Sequence, residues 1–245
     1  MTVKPRNYYL WIGGIALRAL LSLLVMAVCA FWIWRVFFSA AIPSDFKKIQ
    51  PNAALKAAYD TSGEALTFFT QEQATVTRGE HDYGYFGVPR FVFIPEANQV
   101  QLVFRYNNST LEAVQSDLGL AERPPRGEQI FDVTLLMLTD TTPENGDDNE
   151  DGSETVAKTR IHASAAPRVE TTLLYTYFYY TFDGVELTDQ TLVVYLDVYA
   201  DTALGVTPDY TSAAMGTLRL YHHEAARLAE KLSAKEWRAI AEYTE

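Results

Sequence analysis

Two hydrophobic periodicities divide this chain. From Tyr8 to Ser44 only Arg18 and Arg35 carry charge, and Ala19 to Trp34 is an apolar run of 16 residues with Ser22 as its one polar member. A helix rises about 1.5 Å per residue, so a hydrocarbon core of about 30 Å needs roughly 20 residues. The span therefore extends past the arginines, and the pattern predicts a transmembrane helix over 13–36 after a short N-terminus, 1–12. Tyr8, Tyr9 and Trp11 stand at one end of it, and Phe31, Trp32, Trp34, Phe37 and Phe38 at the other. Amphipathic rings favour the two membrane interfaces, with Arg35 at one headgroup layer and Arg18 snorkelling toward the other.

Beyond a connector over 37–63, with helical potential in Ala53–Tyr59, the period changes to two. Val100, Leu102, Phe104 and Tyr106 alternate with Gln101, Val103 and Arg105, the signature of a strand with one face on a core. Similar short runs read as strands at 66–70, 74–78, 90–94, 130–138, 155–163, 169–182, 191–200 and 216–221. Nine strands between turn signals predict a mainly β domain, an antiparallel two-sheet sandwich over 64–222. A short helix crossing between the sheets is predicted over 109–118. The segment 223–245 is predicted to be helical and packed on the sandwich: Ala225, Leu228, Ala229 and Leu232 recur at helical spacing, and Ser233 to Glu236 has capping-box form.

Charge sharpens the division. Residues 1–43 contain no acid, and the remaining 202 hold 31 acids against 16 bases, a net charge of −15. An acidic domain lacks the clustered Lys and Arg that a nucleic-acid reader needs. The single cysteine, Cys29, excludes an intramolecular disulfide and a CxxC pair. Lys4, Arg6, the terminal amine and the snorkelling Arg18 serve the N-terminal side, against Arg35, Lys47 and Lys48 on the other, so the positive-inside bias predicts a cytoplasmic N-terminus and an extracytoplasmic C-terminal domain. Two alternatives to a retained signal-anchor stay open. Ser39-Ala40-Ala41 has the small residues of a signal-peptidase site, with cleavage before Ile42, although Arg35 and bulky aromatics lie close to that cut. Cys29 could belong to a lipoprotein, although Val28 before it is too large; as a small hydrophobe in the span it needs no further role.

Candidate chemistry is sparse. Residues 143–154 read PENGDDNEDGSE, and Asp147, Asn149 and Asp151 followed by Gly152 match the first half of a calcium loop. Glu154 or Glu150 would supply a late ligand, since Lys158 stands where the bidentate Glu belongs. A solvated acidic hairpin end is the simpler reading of these residues, and calcium is the only cofactor their hard oxygens suggest. Tyr175, Tyr177 and Tyr179 share one face of their run, and Tyr195 and Tyr199 share a face of the next. If the two strands pair, the five form one aromatic face for a glycan or protein ligand; structural packing beneath the C-terminal helix is the alternative. His81, His162, His222 and His223 show no zinc spacing, and the sequence has no P-loop, GxGxxG or GxSxG. The expected function is a non-enzymatic binding module of the cell envelope on one membrane span. A glycan-acting hydrolase built on two carboxylates, or an accessory subunit pairing Arg18 with an acid in a polytopic partner, are the alternatives.

Overall fold

The computed structural model describes residues 6–70, 75–77, 86–141, 156–212, 214–222 and 228–244. The chain divides into two compact units, Met1–Ala41 and Ile42–Glu245. The first is a single helix, α1 (Arg6–Ala40). Its Gly13–Phe37 stretch has a mean hydropathy of 2.3 and none of it is buried within its unit. It is long and apolar enough to cross a membrane, which matches the span expected at 13–36.

The second unit carries three further helices, α2 (Ala53–Ser62), α3 (Thr110–Asp117) and α4 (Ala234–Ala241). Its strands in chain order are β1 (Phe69–Thr70), β2 (Thr75–Thr77), β3 (Phe86–Ile94), β4 (Gln99–Asn107), β5 (Phe131–Asp140), β6 (Val156–His162), β7 (Arg168–Thr171), β8 (Tyr175–Asp183), β9 (Thr191–Ala200), β10 (Gly216–His222) and β11 (Leu228–Ala229). They form two sheets. Sheet A runs β11-β1-β3-β4-β8-β7 and sheet B runs β2-β10-β9-β5-β6, and every pair is antiparallel. The chain is thus mixed helix and strand, and the mainly β expectation holds only coarsely because α1 alone takes 35 residues.

Alternation decides what each sheet buries. Phe91, Phe93, Val100, Leu102, Phe104, Phe178, Tyr180 and Phe182 of sheet A share one core with Phe131, Val133, Leu135, Val194, Leu196, Val198 and Leu218 of sheet B. Leu111 and Val114 of α3 join the same core on the way from β4 to β5. Burial of this many large side chains, at about 1.5–3 kcal/mol each, is the main term holding the sheets together.

The stretch expected to be a connector is built into the fold. From Pro43 the chain lies buried at intervals: Pro43, Phe46 and Ile49, then Leu55 and Ala58 on α2. This strap, 42–52, crosses the outer face of sheet A. Asn52 caps α2 by accepting from the Leu55 amide at 2.9 Å. The capping box Ser233–Glu236 starts α4 where the sequence placed it. Leu228 and Ala229, however, are strand and not helix. Ala229 pairs with Phe69 and Leu228 with Thr70, and an open edge of sheet A outweighs the helical spacing of a few alanines and leucines. The predicted strand over 169–182 is two strands, β7 and β8, folded on each other across Thr172–Leu174, with Val169 opposite Phe178.

Candidate functional site

The five tyrosines expected on one face fall on two. β8 lies between β4 and β7, and β9 lies between β10 and β5, so the two strands never pair. The connection from Asp183 to Thr191 carries the chain from one sheet to the other, and Val185 is buried in the core on the way. Tyr175, Tyr177 and Tyr179 therefore point to the outside of sheet A, and Tyr195 and Tyr199 to the outside of sheet B. That is the correction to the single aromatic platform.

The strap covers the middle of the outer face of sheet A. Phe46 of the strap packs with Val103, Tyr177 and Tyr179, its ring edge-on to Tyr179 at 5.6 Å. The cover is the strap, not the C-terminal helix that the packing alternative named; α4 instead packs Ile240 with Leu55, Val92 and Ile94. Polar groups complete the seal. The Gln50 amide donates to Gln101 Oε1 at 2.9 Å, and Gln101 Nε2 donates to the Gln50 carbonyl at 2.8 Å. The side chain of Gln101 thus imitates a strand partner. Gln99 and Asn52 exchange two amide hydrogen bonds at 3.1 Å. The Tyr179 hydroxyl donates to Gln101 Oε1 at 2.5 Å, with the Lys48 carbonyl 3.2 Å away. Burial pushes the phenols of Tyr177 and Tyr179 up; the Tyr179 hydroxyl serves as a donor, while the Tyr177 oxygen accepts from Arg105. At the strap's edge, Arg105 stacks on half-buried Tyr175 at 4.4 Å.

The outer face of sheet B carries a different group. Register places Asp132 opposite Tyr199, and Thr134 opposite both Asp197 and His162. Asp197, only 4% exposed, accepts from Arg160 Nη1 at 3.1 Å and from Thr217 Oγ1 at 3.0 Å. Arg160 Nη1 also donates to Thr134 Oγ1 at 2.7 Å. Its guanidinium lies 5.2 Å from the Tyr199 ring and 5.4 Å from that of Tyr210. Tyr210, from the loop after β9, is 36% exposed. It meets Tyr199 and His162 edge-on, each at 5.1 Å, and donates to Asp132 Oδ2 at 2.5 Å. Burial, helped by that hydrogen bond to a carboxylate, pushes the Tyr210 phenol up to about 12. Burial and the Asp197 charge raise Tyr199. Tyr195 is half-buried on this face, between Leu136 and Arg219. The buried Asp197–Arg160 pair fixes the aromatic rings, and Tyr210 presents the exposed part.

No family model, curated protein or solved structure matches this chain. The reading of function rests on its own residues. Arg160, His162, Asp132, Thr217 and Tyr210 were not among the expected binding residues. The alternation Lys158, Arg160, His162 carried a signal for two of them, and the position of Asp197 between Tyr195 and Tyr199 marked the buried partner of Arg160. Nothing periodic marks Tyr210, which comes from a loop.

The calcium candidates Asp147, Asn149, Asp151 and Glu154 lie outside the described residues. Among the described residues no three His, Cys, Asp or Glu side chains gather as a metal site. Of the membrane set, Trp11 lies in α1 with its side chain undescribed. Arg18, Trp32, Trp34 and Arg35 are exposed on that helix, with Arg35 over the Trp32 ring at 5.8 Å. Arg18 and Arg35 are 17 residues apart, about 26 Å along a helix. That spacing is close to the thickness of about 30 Å of a hydrocarbon core.

Proposed function

We propose that this protein is a single-pass membrane-anchored module whose two-sheet domain, a β-sandwich held outside the cytoplasm, binds a macromolecular partner of the cell envelope without catalysing a reaction. The observation that carries this reading is the asymmetry of the two outer faces. The strap covers the middle of sheet A, whereas sheet B keeps a pre-set group of Tyr199, Tyr210, His162 and Arg160. Tyr and Arg dominate binding hot spots because they offer large rigid contact area with a polar handle, and held rings lose little entropy on binding. The apolar helix supports the anchor, and the terminal amine together with Lys4 and Arg6 supports the orientation.

A glycan hydrolase would need an acid and a base free to exchange protons. The two carboxylates of this group are committed, Asp197 to Arg160 and Thr217, and Asp132 to Tyr210. That favours the binder. Calcium at Asp147, Asn149, Asp151 and Glu154 is proposed on ligand chemistry alone; melts in millimolar calcium that match those in chelator would withdraw it.

A photo-crosslinking amino acid at Val206, exposed in the loop that carries Tyr210, tests the binding face in cells expressing the full chain. An adduct should form there, should vanish with Tyr210→Ala, and should be absent from a probe at Ala57 on α2. No adduct at Val206, or equal adducts at both positions, would reject the sheet B face as the binding surface.

A further inference from the structure

Between the strap and the start of α4 lies an open cleft of about 280 Å³. Asp45, Lys48 and Gln50 line it from the strap, Arg168 from β7, and Lys235 and Glu236 from α4. Its charges do not cancel evenly. Asp45 is paired with Lys48 at 3.6 Å. Glu236 is turned back on its own helix, where its Oε2 accepts from the Ser233 amide at 2.9 Å and from Ser233 Oγ at 2.7 Å. Among the described residues Arg168 and Lys235 have no acidic partner. Arg168 donates one hydrogen bond, to Gln50 Oε1 at 2.6 Å, and stacks over Phe46 at 5.7 Å. That fixes the guanidinium while leaving most of its N–H donors unused. Two cations, one pre-positioned, thus face a small cleft in a domain of net charge −15.

The ligand follows from where the chain puts this cleft. Pro43, the first buried residue of the domain, follows Phe37, the last residue of the apolar window, by six positions. Six residues reach at most about 20 Å. Lys47 and Lys48 follow at once, with Asp45 beside them. Basic residues beside a span favour anionic lipid. A cleft just below the usual range of ligand pockets suits a headgroup and not a polymer.

We infer that this cleft takes the phosphodiester headgroup of an anionic glycerophospholipid, with Arg168 and Lys235 on the phosphate and the polar strap beside its glycerol. The inference rests on the membrane-anchored reading above.

The test uses the full chain in a neutral detergent, with melting temperature as the readout and three additives at equal concentration: dihexanoyl phosphatidylglycerol, dihexanoyl phosphatidylcholine and inorganic phosphate. Phosphatidylglycerol should raise the melting temperature by several degrees, and phosphatidylcholine should not. Arg168→Ala should abolish the rise, but it also removes the bond to Gln50. Lys235→Glu is the cleaner variant, because that side chain is exposed and an acid is welcome in the first turn of a helix; its own melt should be unchanged and its lipid response lost. Equal melts in the two lipids, or a Lys235→Glu protein that still responds, would overturn the site. An equal rise with inorganic phosphate would assign it to free phosphate and overturn the lipid. Carbonate extraction of membranes from expressing cells reads the anchor separately: a chain that stays in the pellet but ignores phosphatidylglycerol is anchored without this site.

Discussion

At the scale of single residues, close packing and buried charge make the sharpest statements. A Cβ on Gly216 would stand 2.6 Å from the Phe86 ring. That ring is held by Phe104 and Phe131 at 5.5 and 5.1 Å, so it has little room to move. Gly216→Ala should cost about 1–3 kcal/mol in denaturant melts, and Phe86→Leu should recover part of it; an unchanged midpoint would mean the ring yields freely. On sheet B, Asp197→Ala strands a guanidinium that is only partly exposed and should cost about 3 kcal/mol, whereas the double change Asp197→Leu, Arg160→Met should cost less than that single change. Additive losses in that cycle would remove the pair as the brace of the aromatic group. The phenols add a pH dependence. Burial raises Tyr177, Tyr179, Tyr180 and Tyr199, and Tyr210 reaches about 12, against about 10 in an unfolded chain. A group raised in this way stabilises the fold fully below its unfolded value, and the contribution is lost as pH climbs through the folded value. Melting temperature should hold to about pH 10 and fall steeply between about 10 and 12; a flat profile across that window would contradict the buried phenols.

At the scale of elements, alternation is what the sequence carries well. The strand 191–200 was legible to the residue, and the faces of β4 and β8 follow from their period of two. Three features were not legible, each for a physical reason. Which strands pair depends on where the 184–190 connection goes, and no local pattern states that; hence Tyr199 was grouped with Tyr177 when a whole core separates them. β11 exists only because β1 offers an open edge. The strap has no period at all: Phe46 and Ile49 are isolated apolar positions among Lys, Asp and Gln, and its hold on the sheet comes from amide pairs of Gln50, Asn52, Gln99 and Gln101 that become visible only when the elements meet. The strap's role can be tested by truncation. A fragment beginning at Ile42 keeps the cover over Val103, Tyr177 and Tyr179, while one beginning at Glu64 exposes them and leaves Gln99 and Gln101 without their partners. Each unmet buried amide group costs about 1–3 kcal/mol, and the bared rings add their own transfer term. The 42–245 fragment should melt cooperatively, and the 64–245 fragment should aggregate or melt well below it. Equal melts would return 42–63 to the status of a connector.

For the whole molecule, the decisive question is which side of the membrane holds the domain and whether α1 stays attached. The sequence marks a span through its apolar run, and α1 extends over the same residues, but orientation rests on the terminal amine, since Lys4 and Arg6 before Gly13 only equal Lys47 and Lys48 after Phe37. The acids do not decide it, since they weigh little in that bias. Ser39 and Ala40 complete the last turn of α1, and the candidate scissile bond, between Ala41 and Ile42, follows directly after that helix end. Protease added to intact cells separates the possibilities when paired with the mass of the mature chain. A retained anchor with the domain outside gives a full-length product that sediments with membranes and loses everything beyond about residue 45 on digestion. A chain beginning at Ile42 and released into the medium would show that α1 is a signal peptide, and would leave the strap as the true N-terminus of a soluble domain. Full protection until the membrane is permeabilised would place the domain in the cytoplasm. In either of those cases the sheet B group would keep its geometry but would face a different set of partners.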